Sequence, residues 1–330
     1  MTENRHSKLG LSDDNILEMY KLMLLSRKLD ERMWLLNRSG KIAFVISCQG
    51  QEAAQVGAAF ALNLNKDYVA PYYRDLALVL ACGMTVKEVM LHLFAKDEDP
   101  NSGGRQMPGH YGQKKNRIIT GSSPVTTQVP HAVGFALAAK YKQESFVTLV
   151  TLGDGSTNQG DFHEGLNFAG VHKLPVITFV QNNKIAISVP YEKQIASKNI
   201  SIRASSYGMP GVTIDGNDPL AVYEAMKNAH DRATNGEGPT LIEAVTERLT
   251  AHSSDDNEKA YRTAEELENA RKADCNENFR NYLLEVGVLT KDIEDDMLNE
   301  IADEINEATD YAESAEYPNP DSLKNHVYEM

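Results

Sequence analysis

Two apolar runs constrain this chain more than any other feature. FVTLVTLGDG (146–155) and PVITFVQNN (175–183) are nearly uninterrupted hydrophobic stretches, and the helix-patterned DFHEGLNFAGVH (161–172) lies between them. A strand that is apolar at almost every position must be covered on both faces, and a helical crossover between two such strands makes them parallel. Gly211 to Asp215 and Thr240 to Leu249 supply two further strands, with a helix from Leu220 to Arg232 between them. The expected fold class is α/β, a parallel sheet with helices on both faces.

Helical segments flank this sheet. Ser12 to Arg38 is predicted as a helix, with Ser12 as its cap and Asp13 and Asp14 at its positive end. Ile16, Met19, Tyr20, Met23 and Leu24 share one of its faces. Gln51 to Leu62 and Val129 to Tyr141 are two more helices, and Leu76 to Leu93 is a helix broken at Gly83 and restarted by Thr85. Asp97 to Gly121, with DPNSGGRQMPGHYG, is a loop long enough to be functional or mobile. The acidic helices from Ala264 onward fit a solvated face or a subunit contact. We expect one domain over 1–330, with an N-terminal helical extension to about residue 45 and the acidic helical region from about 264.

Composition narrows the function. At 42% hydrophobic residues the chain can bury a large core, and its net charge of −14 argues against nucleic acid and anionic membranes as partners. Cys48, Cys82 and Cys275 are scattered without a disulfide or metal spacing, which fits a reducing compartment and buried apolar thiols. No apolar run is long enough to span a bilayer, and MTENRHSKLG has no signal core, so a cytoplasmic location is expected.

The chemistry gathers where the two apolar strands end. Gly153-Asp154-Gly155 closes the first and Asn182-Asn183 the second. In a strand–helix–strand unit both ends reach the same carboxyl edge of the sheet, where open α/β sheets bind ligands. A carboxylate from Asp154 and an amide oxygen from Asn183 are hard ligands suited to magnesium, an ion that usually keeps phosphate oxygens in its shell. The glycines allow close approach of a diphosphate, and the helix after Gly155 points its N-terminal amides toward the same anion.

The run GDGSTNQGDFHEGLNFAGVHKLPVITFVQNNKIAIS resembles the thiamine diphosphate motif, and its flanks resemble the alpha subunits of 2-oxo acid dehydrogenases over nearly the whole chain, to about Arg262. The resemblance implies the thiamine-diphosphate-binding fold. It makes Asp154, Asn183 and the carbonyl of Ile185 the magnesium ligands, and Gly155, Ser156, Tyr73, Arg74 and Gln181 the diphosphate contacts. Gln181 stands where branched-chain relatives often carry an arginine. Ser123 and Val125 fall beside the aminopyrimidine, and Ser122, the carbonyl of Pro124, Thr127 and Gln128 match a potassium site. His252 is implied as the catalytic histidine facing the thiazolium, in a loop ordered by Arg248, Asp256 and Tyr261. Ser253 occupies a position phosphorylated in animal relatives, which implies no regulation here. Phe44 lies where relatives shape the acyl pocket, His110 borders the active site, and His131 reads as structural.

The implied activity is oxidative decarboxylation of a branched-chain 2-oxo acid, of the 3-methyl-2-oxobutanoate dehydrogenase type, with acyl transfer to the lipoyl group of a partner acyltransferase. The implied assembly has two alpha and two beta chains, a beta-chain glutamate activating the cofactor. A pyruvate or acetoin dehydrogenase is the nearest alternative. A non-catalytic scaffold is countered by the intact Asp154, Asn183, Arg74 and His252. A nicotinamide-dependent oxidoreductase would need G-x-G-x-x-G after a strand, and the chain has none.

Overall fold

The computed structural model describes residues 4–325 and residue 327. Its strands are β1 (Tyr68–Ala70), β2 (Thr148–Gly153), β3 (Val176–Asn182), β4 (Ile185–Ala186), β5 (Val189–Pro190), β6 (Gly211–Asp215) and β7 (Thr240–Val245). Five of them form a parallel sheet in the order β1-β2-β3-β7-β6, while β4 and β5 make a small antiparallel hairpin. The helices are α1 (Arg5–Lys8), α2 (Asp13–Arg38), α3 (Glu52–Phe60), α4 (Leu76–Ala81), α5 (Val86–Leu93), α6 (Gln128–Lys142), α7 (Gly160–His172), α8 (Pro219–Thr234), α9 (Ala264–Lys272), α10 (Cys275–Glu285) and α11 (Lys291–Ser314).

Alternating strand residues feed two cores. Leu149, Ile177, Phe179, Ile242 and Ala244 turn to one face, where α2, α3, α4, α5, α8, α10 and α11 pack. Val150, Leu152, Val176, Val180 and Leu241 turn to the other, beneath α6 and α7. The period of two splits each run between faces, and burial of both faces explains why the runs are continuously apolar. The acidic C-terminal helices join the first core through Cys275, Phe279, Ile301, Ile305 and Ala312.

Local chemistry sets the helix ends. Ser12 accepts from Asn15 N–H and Asn15 answers the Ser12 N–H, a reciprocal cap of the kind that contributes about 1 kcal/mol. Thr85 and Glu88 do the same for α5, so the break at Gly83 and the restart follow the sequence expectation.

Two expectations are corrected, and three short strands are added. The last strand stops at Val245 rather than Leu249: Thr246 N–H still bonds Asn182 O at 2.9 Å, but Leu249 N–H bonds Gln49 O at 3.1 Å, outside the sheet. The segment after Gly155 is first a 3₁₀ turn, Gly155–Asn158, and α7 starts only at Gly160, after Gln159 adopts an extended ψ of 151°. Strand β1 and the β4–β5 hairpin are too short to show a period, and the sequence does not announce them.

Gly57 marks the closest helix contact on the first face. A Cβ there would stand 2.6 Å from Pro219 O and 2.9 Å from Val222 Cβ, on α8. Alanine would add about 1 kcal/mol of helix propensity, but the clash is of the kind that costs about 1–3 kcal/mol. Gly57→Ala is therefore expected to lower stability in urea unfolding, and a stabilised variant would show that α8 withdraws freely.

Candidate active site

The register of β2 and β3 sets the site. Gly153 pairs with Gln181, so the residues just beyond each strand, Asp154 and Asn183, emerge together at the carboxyl edge. They open into a cavity of about 530 Å³ also lined by Tyr73, Arg74, Ser123, Val125, Gly155, Ser156, Ile185 and His252.

Asp154 is 1% exposed. Burial pushes its carboxyl up to about 6, opposed by its own and Gly155's N–H, the Gln194 amide and Arg248. Gln194 Nε2 donates to Asp154 Oδ2 at 2.6 Å. The two asparagines divide their work. Asn182 is structural: its amide donates to Glu243 Oε1 at 2.8 Å and its oxygen accepts from Lys184 N–H at 3.0 Å. Asn183 Oδ1 is buried with no protein partner among the described residues. An orphaned buried acceptor beside a buried carboxylate fits a cation held between them. Among the described residues no cluster of three or more His, Cys, Asp or Glu is arranged for a metal; a carboxylate and an amide oxygen at one cavity are hard donors of the kind magnesium takes, not a zinc-type set.

Arg74 faces the same space. It is 2% exposed, with Nη1 donating to Ser47 O at 2.6 Å and Nη2 placed 3.2 Å from His252 Nδ1 and 3.3 Å from His252 O. It has no carboxylate partner among the described residues. A buried guanidinium without a counter-charge is costly unless an anion joins it. Gly155 lets the hairpin close on the strand end: a Cβ there would meet Ala186 Cβ at 2.5 Å. Backbone strain collects around the cavity as well, at Thr126 (φ 81°), Lys184 (φ 69°) and Ile187 (φ 55°). At the β-branched Thr126 and Ile187 such a backbone persists only where the surroundings over-determine it, as at ligand sites.

A family model described as Dehydrogenase E1 component matches residues 20–321. The chain belongs to the dehydrogenase E1 component family. It is 64% identical over 99% of both chains to the 2-oxoisovalerate dehydrogenase subunit alpha of Bacillus subtilis (strain 168). It is 37% identical to the 3-methyl-2-oxobutanoate dehydrogenase subunit alpha of Mycobacterium tuberculosis (strain CDC 1551 / Oshkosh), over 94% of this chain and 83% of that protein. It is also 37% identical to the pyruvate dehydrogenase E1 component subunit alpha of Staphylococcus aureus (strain Mu50 / ATCC 700699), over 97% of this chain and 84% of that one. This family membership implies thiamine diphosphate as cofactor, and the orphaned groups around the cavity fit a diphosphate carried by a cation.

The other expected residues fall in three groups. Arg248, Tyr261 and Asp256 form a chain of hydrogen bonds: Arg248 Nη2 donates to Tyr261 OH at 3.0 Å, Tyr261 OH donates to Asp256, and Asp256 accepts from His252 N–H at 2.7 Å. Arg248 also reaches Ile187 O at 3.0 Å, tying the His252 loop to the hairpin. Ser122 Oγ and Thr127 Oγ1 converge on Pro124 O at 3.0 and 3.1 Å, while Gln128 is buried and donates to Thr151 O at 3.0 Å.

Several residues lie away from the cavity. Gln181, expected on the diphosphate, is fully buried and does not line it; its amide donates to Asp75 Oδ1 at 2.5 Å and its oxygen accepts from Gln55 at 2.9 Å. An uncharged side chain at the strand end satisfies itself within the interior. Phe44 does not line the cavity either, and His131 lies exposed on α6 beside a different hollow. His110 reaches the rim indirectly, its Nε2 lying 2.8 Å from Ser123 Oγ. Ser253 is buried. Tyr72, Ala186, Ile187, Val189 and Gln194 also line the cavity. Sequence reasoning missed them: Tyr72 carries no motif of its own, and nothing in AISVPYEKQ (186–194) signals a folded-back hairpin.

A cation can bind Asp154 only as the carboxylate. Affinity for magnesium with thiamine diphosphate, followed by calorimetry, is expected to fall below pH 6, by up to about tenfold per pH unit. Binding that is flat from pH 5 to 6.5 would remove Asp154 from the cation.

Proposed function

We propose that this chain is the alpha subunit of a 2-oxo acid dehydrogenase acting on branched-chain 2-oxo acids, with Asp154, Asn183 and the Ile185 carbonyl holding a magnesium ion that tethers thiamine diphosphate. The observation that carries the substrate assignment is the 64% identity, over 99% of both chains, to the Bacillus subtilis 2-oxoisovalerate dehydrogenase subunit alpha. The cofactor assignment is supported by the unpartnered Asn183 oxygen and the Arg74 guanidinium without a carboxylate, facing one cavity.

Bound there, thiamine diphosphate supplies the nucleophilic carbon that makes decarboxylation of a 2-oxo acid accessible. The chain's own residues bind and orient. Arg74, Tyr73, Gly155 and Ser156 take the diphosphate, Ser123 and Val125 flank the aminopyrimidine, and His252 stands at the reacting end. Ser122, Pro124, Thr127 and Gln128 hold a potassium ion that stiffens the turn before α6. Arg248, Tyr261 and Asp256 keep the His252 loop in place.

A second chain completes the site. Val125, Ile187 and Val189 line the cavity and are 37%, 57% and 42% exposed, an apolar rim that a partner would cover. The proposed partner is a beta subunit, in a heterotetramer of two alpha and two beta chains, contributing the activating glutamate. The acyl group passes to the lipoyl group of an acyltransferase core. No helix among the described residues is long and apolar enough to cross a membrane, and a cytoplasmic complex is proposed.

Pyruvate is the competing substrate, because relatives named for either substrate match at the same 37% identity. An apolar pocket separates substrates differing by one methylene by only about 1–3 kcal/mol. Rates of the purified alpha and beta chains on 3-methyl-2-oxobutanoate and on pyruvate decide. We expect kcat/KM to favour the branched substrate by at least about tenfold, and a preference for pyruvate would overturn the assignment.

A further inference from the structure

The imidazole of His252 has its protonation pattern set by a neighbour that cannot accept a hydrogen bond. Arg74 Nη2 lies 3.2 Å from Nδ1. Guanidinium nitrogens carry only N–H donors and stay charged. Nδ1 must therefore present its lone pair, and the one proton of a neutral ring sits on Nε2. A doubly protonated ring would set an N–H of His252 against an N–H of Arg74.

Of the other charged neighbours, Arg248 pushes the same way and Asp256 opposes it. Arg74 and Tyr73 face the ring from the turn after β1, and Arg248 and Asp256 from the loop after β7. Tyr73 meets it edge-on, with centroids 6.0 Å apart and planes at 76°. Asp256 is the one negative group of the four, and it is engaged by the His252 backbone N–H at 2.7 Å and by the Tyr261 hydroxyl rather than by the ring. Burial and then the two guanidinium groups hold the imidazole down at about 4, against an ordinary value of 6.5.

Building on the proposed cofactor site, we infer that His252 works as a neutral imidazole whose Nε2–H donates a hydrogen bond to the 2-oxo oxygen of the substrate, with Arg74 as the positioning residue that sets this tautomer. The ring has no free lone pair to act as a base and no second proton to release as an acid. What it offers is a fixed dipole aimed at the oxygen on which negative charge grows, the way a neutral histidine polarises a carbonyl in triosephosphate isomerase. Arg74 thus serves two ends of the cavity, the diphosphate by its charge and the imidazole by its geometry.

Nitrogen-15 labelling of the histidines in the full chain tests this without cofactor, with the His252 signals assigned by difference from His252→Gln. At pH 7 we expect an unprotonated Nδ1 and a protonated Nε2, with no titration down to pH 5. An Nδ1–H ring or an imidazolium at pH 7 would overturn the inference. In Arg74→Met the ring is expected to populate both tautomers and to titrate nearer 6.5; an unchanged spectrum would remove Arg74 from the role. In the alpha–beta complex, His252→Gln places an amide N–H near the Nε2 position, whereas His252→Asn reaches only the Nδ1 position. Glutamine is expected to keep kcat within about tenfold and asparagine to lose about 10²–10³-fold; equal losses count against a donor at Nε2. Calorimetry of the wild-type complex with magnesium and thiamine diphosphate separates the two failures. Absent binding there sinks the cofactor site, whereas a wrong tautomer with binding intact sinks only the role of His252.

Discussion

Arg74 is a full positive charge buried among groups that give it hydrogen-bond acceptors and no counter-charge. Ser47 O takes one nitrogen, and His252 takes another through Nδ1 and its carbonyl. Its backbone is held too, since Gln55 Nε2 donates to Arg74 O at 3.0 Å while bridging to Gln181. Behind it, Asp75 is a buried carboxyl pushed up to about 7, gripped by Thr151, Gln181 and Tyr72 N–H. Asp30, pushed up to about 6, fixes the Ser47–Gln49 loop in the same manner. These carboxyls are raised mainly by desolvation, so neither is a ready counter-ion for the guanidinium. The interior rigidifies Arg74 and leaves its charge for something that enters the cavity.

A site built this way is expensive for the isolated chain. Arg248 Nε and Nη1 and Asn183 Oδ1 are also buried without partners among the described residues, and each such group costs about 1–3 kcal/mol. The two cores on either side of the sheet offset that cost. The burden sits at one edge, where β2 and β3 end in register, and the strained residues Thr126, Lys184 and Ile187 lie around the same cavity. A ligand matching these groups is bound by relieving penalties already present, which is preorganisation in energetic terms.

The parts legible in the sequence were those with a period or a motif. The runs of β2 and β3 stay apolar because both faces are buried, and α7 between them makes the pair parallel, so the neighbouring positions of Asp154 and Asn183 follow from chain order. Thr85 and Ser12 announce their helices because capping is local chemistry. Tertiary folding hid the rest. Three residues of β1 carry no pattern, and the hairpin that brings Ala186 against Gly155 depends on left-handed residues, Lys184 and Ile187, that no glycine signals. Gln181 shows the limit from the other side: its match to an arginine position of branched-chain relatives implied a diphosphate contact, yet an amide with two interior partners turns inward.

The apolar rim explains why the cavity looks half-built. Val125, Ile187 and Val189 expose hydrocarbon where solvent should be kept out, while Asp154, Arg74 and Asn183 behind them are buried. Electrostatic interactions in such a cavity gain strength only once water is excluded. One chain supplies the charges and holds them rigid, and a partner surface over the rim would lower the dielectric around them. Arg248 links the two tasks: one nitrogen ties the hairpin that carries the rim, through Ile187 O, to the loop that carries His252, through Tyr261.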